Sequence, residues 1–121
     1  MGGFAASFKE LDIWQLAIRI VKDVYRLTGQ LPKTEEYGLA SQMKRAAVSL
    51  PANIAEGFRK RHAKEFRQSL HIALGSAAEL ETYCELCREL FDGAAGNAIS
   101  LIEKLIGFQK MTNAFIGRLK A

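Results

Sequence analysis

Apolar residues along this chain recur at intervals of three and four, the period of helices, and β-branched residues are not gathered into the alternating runs of strands. The clearest run is Phe66, Leu70, Ala73, Ala77, Leu80, Cys84, Cys87 and Phe91, in which steps of four and three alternate throughout. It predicts a helix over about 63–90 with a seam suited to near-antiparallel packing at a shallow angle. Small residues at Ala73, Gly75, Ser76 and Ala77 would let a neighbouring helix come close. A first helix is predicted over about 8–28, closed by Gly29 in the left-handed conformation, with Pro32 preventing its resumption. A second, over about 35–60, is predicted to start at a Thr34 hydroxyl cap, with Glu35 and Glu36 against the positive end of its dipole. Met43, Ala46, Ala47, Leu50, Ile54 and Phe58 hold one helical phase on both sides of Pro51, so a single helix kinked at the proline is expected. After a turn rich in glycine and alanine at about 92–97, a fourth helix is predicted over about 97–119. Leu101, Ile102, Leu105, Ile106, Phe108, Phe115, Ile116 and Leu119 lie on its broad apolar side, and Gly107 and Gly117 weaken it slightly.

Four helices with short connections imply an all-α, antiparallel up-down-up-down four-helix bundle, one domain over residues 1–121. The first helix adds something further. At ~100° per residue, Asp12, Gln15, Arg19, Lys22, Asp23 and Arg26 share a single narrow arc, and apolar side chains from Trp14 to Leu27 fill almost all the rest. A helix in a monomeric bundle needs an apolar stripe of little more than ~100°. Either this helix is the most buried of the four, or a second copy of the chain covers the excess. Helices of a four-helix bundle normally keep a broad solvent face, which favours a homo-oligomer.

Composition narrows the class without changing this picture. Hydrophobic residues make up 49% and charged residues 25%, values of a globular rather than a disordered chain. No apolar stretch can span a bilayer, because Arg19, Lys22 and Asp23 interrupt the longest one, so no membrane partner is expected. Residues 1–10 lack the basic lead and uninterrupted apolar core of a secretory signal. With only two cysteines, a reducing, cytoplasmic setting is expected.

Charge carries more information. The formal net charge of +4 is unevenly placed: residues 43–67 hold seven bases and two acids, against ten bases and eleven acids elsewhere. The bases are Lys44, Arg45, Arg59, Lys60, Arg61, Lys64 and Arg67. Those at the end of the second helix would stabilise its exposed carbonyls, and some serve solubility. Lys64 and Arg67, near a helix N-terminus, have no such explanation. These seven residues are the candidate site for RNA or DNA, and an oligomer would repeat the patch in every subunit. Aromatic residues are sparse in this stretch, so binding is expected to follow shape and backbone with little reading of bases.

No other constellation carries chemistry. The Cys84-x-x-Cys87 spacing resembles a metal or redox motif, yet both residues sit on the seam of the third helix, and no second Cys or His pair completes a zinc site. Small buried hydrophobes are the expected role. His62 and His71, nine apart, would point to opposite faces of a helix. Glu79 and Glu81 point apart, and no Gly-rich phosphate loop or nucleophile elbow is present. No enzyme, cofactor or metal site is expected.

Glu36-Tyr37-Gly38-Leu39, then Gln42, Arg45-Ala46-Ala47, Ser49 and Asn53-Ile54-Ala55-Glu56-Gly57, resemble the signature of the bacterial four helix bundle protein family, whose founding members are encoded in intervening sequences of the large-subunit ribosomal RNA gene. Phe8, Leu11, Trp14 and Ala17, with Gly75-Ser76 and Glu79-Leu80, fit the same pattern, while Lys44 departs slightly from it. The resemblance implies a barrel-like homopentamer. More distantly, the chain is similar to the accessory proteins of diversity-generating retroelements, which implies a reverse transcriptase or other nucleic-acid enzyme as partner. The functional expectation is therefore a non-enzymatic oligomeric accessory protein that binds RNA or DNA backbone, or else a protein-interaction scaffold without nucleic-acid contact. Asn53 and Gly57 are expected to fix bundle geometry, the first by satisfying backbone groups freed by Pro51 and the second by allowing close packing.

Overall fold

The computed structural model of the chain describes residues 5–119; the first four and last two residues of the expected domain lie outside the described residues. Four helices, α1 (Asp12–Thr28), α2 (Leu39–Lys60), α3 (Ala63–Leu90) and α4 (Ala95–Arg118), form the bundle, and no strand occurs among the described residues. Short 3₁₀ turns at Phe8–Glu10, Lys33–Glu35 and Asp92–Ala94 precede α1, α2 and α4. Each helix packs on the one before it, and α4 returns to α1, so the four surround one core in up-down-up-down order.

The seam of α3 lies as its spacing predicts: Phe66, Leu70, Ala73, Ala77, Leu80, Cys84 and Cys87 are all buried, and Phe91 is half-buried. From α2 the core takes Met43, Ala46, Ala47, Leu50 and Ile54, and from α4 Leu101, Ile102, Leu105 and Phe108. A polar link joins α1 to α4, where Asp23 pairs with Lys104, and another joins α3 to α4, where Gln109 donates to Glu81 at 2.8 Å.

Several ends differ from expectation, each for a local reason. Phe8–Glu10 is a 3₁₀ turn, and extended Leu11 separates it from α1, which therefore begins at Asp12. Gly29 remains right-handed, at φ −66° and ψ −17°. There the chain leaves α1 through tightening bonds, from Gln30 N–H to the Leu27 carbonyl and from Leu31 N–H to the Thr28 carbonyl. Thr34 does not cap α2, which starts four residues later than expected, at Leu39, whose N–H donates to the Glu35 carboxylate at 3.3 Å. A carboxylate thus does the work expected of a hydroxyl, with the dipole in its favour.

Through Pro51 the second helix runs unbroken. The Asn53 amide donates to the Ser49 carbonyl at 2.7 Å, and the Ser49 hydroxyl to the Ala46 carbonyl at 2.8 Å. Asn53 therefore does bond backbone beside the proline, though not the Ala47 carbonyl that the missing N–H leaves free. Gly57 behaves as expected: a methyl there would sit 2.7 Å from Ser69 Cβ and 2.9 Å from Phe66 Cδ1. Of the small residues on α3, Ala73 and Ala77 face the core, whereas Gly75 meets nothing within 4 Å.

Candidate nucleic-acid interface

Antiparallel order brings the start of α1, the end of α2, the start of α3 and the end of α4 to one pole of the bundle. Aromatic contacts trace that pole: Phe8 to Phe58 with centroids 6.3 Å apart, Phe58 to Phe66 at 6.2 Å, and Phe66 to Phe115 at 5.4 Å. Over this aromatic floor stand the cations. Arg59, Lys60, Arg61 and Lys64 are exposed, while Arg67 is half-buried and donates to the Leu119 carbonyl at 3.5 Å, tying α3 to the end of α4. Exposed Lys9, in the turn before α1, and Arg118, at the end of α4, join them.

The link between α2 and α3 has only two residues, Arg61 and His62. Arg61 adopts the left-handed conformation (φ 61°, ψ 22°), and its N–H donates to the Phe58 carbonyl at 3.3 Å. Glycine or asparagine normally takes this position after a helix, because a side chain there costs about 1–2 kcal/mol. Arg61 is the single non-glycine residue with positive φ among the described residues. His62 then turns the chain into α3 with extended backbone and remains exposed, as does His71 further along that helix.

Not all seven candidate cations gather at this pole. At 1.5 Å rise per residue, Lys44 and Arg45 lie roughly 20 Å back along α2 from Arg59. Half-buried Lys44 sits over the Tyr25 ring, 5.0 Å from its centroid, and Arg45 faces solvent. The geometry therefore unites Arg59, Lys60, Arg61, Lys64 and Arg67, and separates the other two. Among the described residues the salt bridges are Arg26–Asp23, Arg88–Glu85 and Lys104–Asp23, none of which engages the pole.

Sequence reading missed the aromatic component. Phe8 comes to Phe58 from fifty positions away, and Trp14 lies 5.5 Å from Phe8 on its other side. The Arg59 guanidinium stacks over the Phe8 ring, 5.3 Å from the centroid. Beside them a cleft of about 330 Å³ opens, lined by Ala6, Ser7, Phe8, Phe58, Arg59 and Arg61. The stretch around the cations is sparse in aromatics, but the folded pole is not.

The cysteines lie far from this chemistry. Both are buried and unbridged, and the Cys87 thiol faces the Met43 sulfur at 3.6 Å. Burial, reinforced by Cys87, Glu85 and Glu81, pushes the Cys84 thiol up to about 12; burial, then Glu35, pushes Cys87 up to about 11. Thiolate chemistry at neutral pH is thereby suppressed. Among the described residues no cluster of three or more His, Cys, Asp or Glu could hold a metal ion. Nor is any described helix long and apolar enough to cross a membrane.

Fold and pole together define an all-α four-helix protein with an exposed, unpaired cationic end. The family model of the 23S rRNA-intervening sequence protein matches residues 9–114, and the chain belongs to that family, the one to which its Tyr37-Gly38-Leu39 and Asn53–Gly57 runs point. A comparison with curated proteins finds no match.

Proposed function

We propose that this protein is a non-enzymatic, cytoplasmic accessory protein that binds the backbone of RNA or DNA through the pole formed by Arg59, Lys60, Arg61, Lys64 and Arg67. The observation that carries this reading is a group of cations converging from different helices with no acidic partner among the salt bridges. One of them, Arg61, is also held in a conformation unfavourable for its side chain. Strain of this kind collects at functional sites. Membership of a ribosomal RNA intervening-sequence family agrees with a role beside nucleic acid.

The test is affinity for duplex across a salt series. Each neutralised duplex phosphate contributes roughly −0.9 to the slope of log affinity against log salt, so the four exposed cations should give about −3.6 per protomer. Reversing Arg59, Lys60 and Arg61 to glutamate should abolish binding with helicity intact. Binding that survives the reversal, or a slope near zero, would overturn the assignment.

The working unit in this reading is a homo-oligomer, with five subunits on the family resemblance. Trp14, Ile18 and Val21 are only half-buried, and Tyr25 and Val48 are 50% and 45% exposed, so α2 leaves part of the apolar arc of α1 uncovered. On α4, Ile99 and Ile106 are also exposed, and helical phase sets them away from Lys104, which faces α1. Two different apolar faces suit a head-to-tail ring. Light scattering should report a multimer that Val48→Glu dissociates; a wild-type monomer at micromolar concentration would refute it.

A further inference from the structure

We infer that the cleft beside Phe8 is a stacking site for one unpaired nucleobase, so that the basic pole prefers single-stranded or frayed nucleic acid to uninterrupted duplex. The inference rests on the reading that this pole binds nucleic acid, and it adds what the cations alone do not supply. A phosphate needs only charge. The cleft combines charge with π surface: the Phe8 and Phe58 rings line it, and so do the Arg59 and Arg61 side chains.

Its size fits one base. At about 330 Å³ it stands at the lower edge of the roughly 300–1,000 Å³ typical of ligand pockets. Its floor is rigid, because Phe8 packs on Trp14 at 5.5 Å and edge-on to Phe58 at 6.3 Å, and Phe58 in turn packs on Phe66 at 6.2 Å. Stacked on Phe8, the Arg59 guanidinium offers its outer plane as a further stacking surface, as guanidinium planes do for unpaired bases. Left-handed Arg61 also lines the cleft and supplies a charge for the phosphate of the same nucleotide. A base held in a duplex cannot enter such a cleft without leaving its stack, so the site selects strands whose bases are already free.

The experiment compares three probes of equal phosphate count on the intact protein at one salt concentration: oligothymidylate, an abasic oligodeoxyribonucleotide and a DNA duplex. Fluorescence anisotropy gives each affinity. Oligothymidylate is expected to bind between about 5- and 150-fold more tightly than the abasic strand, the range that stacking one base spans. Phe8→Leu keeps an apolar side chain over Trp14 and Phe58 but removes the π face; it should close that gap, with the same variant's abasic affinity as the reference. Phe58→Leu serves as the second variant, with circular dichroism checking helicity in both. Equal wild-type affinity for thymidylate and abasic strands overturns the stacking site while leaving backbone binding intact. A gap that persists in both folded variants places base contact elsewhere and also overturns it. If no probe binds even at low salt, the cleft inference and the proposed function fall together.

Discussion

Replacing Gly57 with alanine tests the packing that holds the two arms of the pole together. The added methyl would sit 2.7 Å from Ser69 Cβ and 2.9 Å from Phe66 Cδ1, closer than such atoms approach in folded proteins. Neither neighbour can step aside. Ser69 Cβ is fixed to the α3 backbone, and the Phe66 ring is wedged between Phe58 and Phe115. Relief requires α2 to move away from α3, and overpacking of this kind costs about 1–3 kcal/mol. Against it stands the gain of about 1 kcal/mol from removing a glycine inside a helix. With two contacts under 3 Å, one of them to a Cβ, the clash wins, and a net loss of about 1–2 kcal/mol is expected. For a chain of this size that lowers Tm by roughly 4–8 °C. Gly107→Ala is the control: nothing lies within 4 Å of its added methyl, so only the helical gain remains and Tm should rise by roughly 4 °C. Thermal unfolding followed by far-UV circular dichroism, at equal protomer concentration, gives both numbers. If Gly57→Ala proves as stable as Gly107→Ala, α2 and α3 are not in the close contact described.

Arg61→Gly removes the left-handed side chain, so stability should rise by about 1 kcal/mol in urea unfolding while the salt slope on duplex weakens by roughly 0.9; a loss of stability would contradict the strain. Thr112 is fully buried and its hydroxyl has no hydrogen-bond partner, so Thr112→Val should stabilise by about 1 kcal/mol in the same assay. An equal loss would mean the hydroxyl is satisfied. Burial raises Cys84 from an ordinary 9.0 to about 12 and Cys87 to about 11, so the folded state holds these protons more tightly than the unfolded chain. Their contribution to stability is fully present below pH 9 and is lost as pH rises through about 11 to 12. Cys84→Ala should flatten part of that alkaline decline, and an unchanged profile would refute the assignment.

What the sequence made legible was the local part of the fold. A helical period shows in any stretch of a dozen residues, so the seam of α3 and the inward face of α2 could be read directly. The apolar excess of α1 was also visible, and in the structure it divides between a buried stripe, Ile13 to Leu27, and half-exposed Trp14, Ile18 and Tyr25. Helix starts were harder, because a cap can act from a distance: Glu35 caps Leu39 from four residues upstream, and its neighbour Thr34, the residue that the sequence singles out as a cap, does not. The site was legible only as a linear stretch. That grouping placed Lys44 and Arg45 with the pole because they are near in sequence, although helical rise carries them away from it. It omitted Phe8, whose distance from Phe58 along the chain closes only once α1 and α2 lie antiparallel.

The pole also concentrates features that are locally unfavourable for folding. Lys64 lies in the first turn of α3, where a cation is disfavoured by about 0.3–1 kcal/mol. Arg61, immediately before, carries its own conformational cost. Glu65 is the single acid in that first turn. Sequences that agree with their fold elsewhere tend to break local rules at functional sites. Both departures lie on the α2–α3 connection and its flank, and one ligand would relieve them together. On the proposed reading, a phosphate at the start of α3 would accept from the helix's first backbone N–H groups, be favoured by its dipole and neutralise Lys64, with Arg61 in the preceding turn. The unfavourable placement of these cations in the free protein is what the proposed function requires of a surface completed by a bound phosphate chain, and it is why the salt series on duplex comes first among its tests.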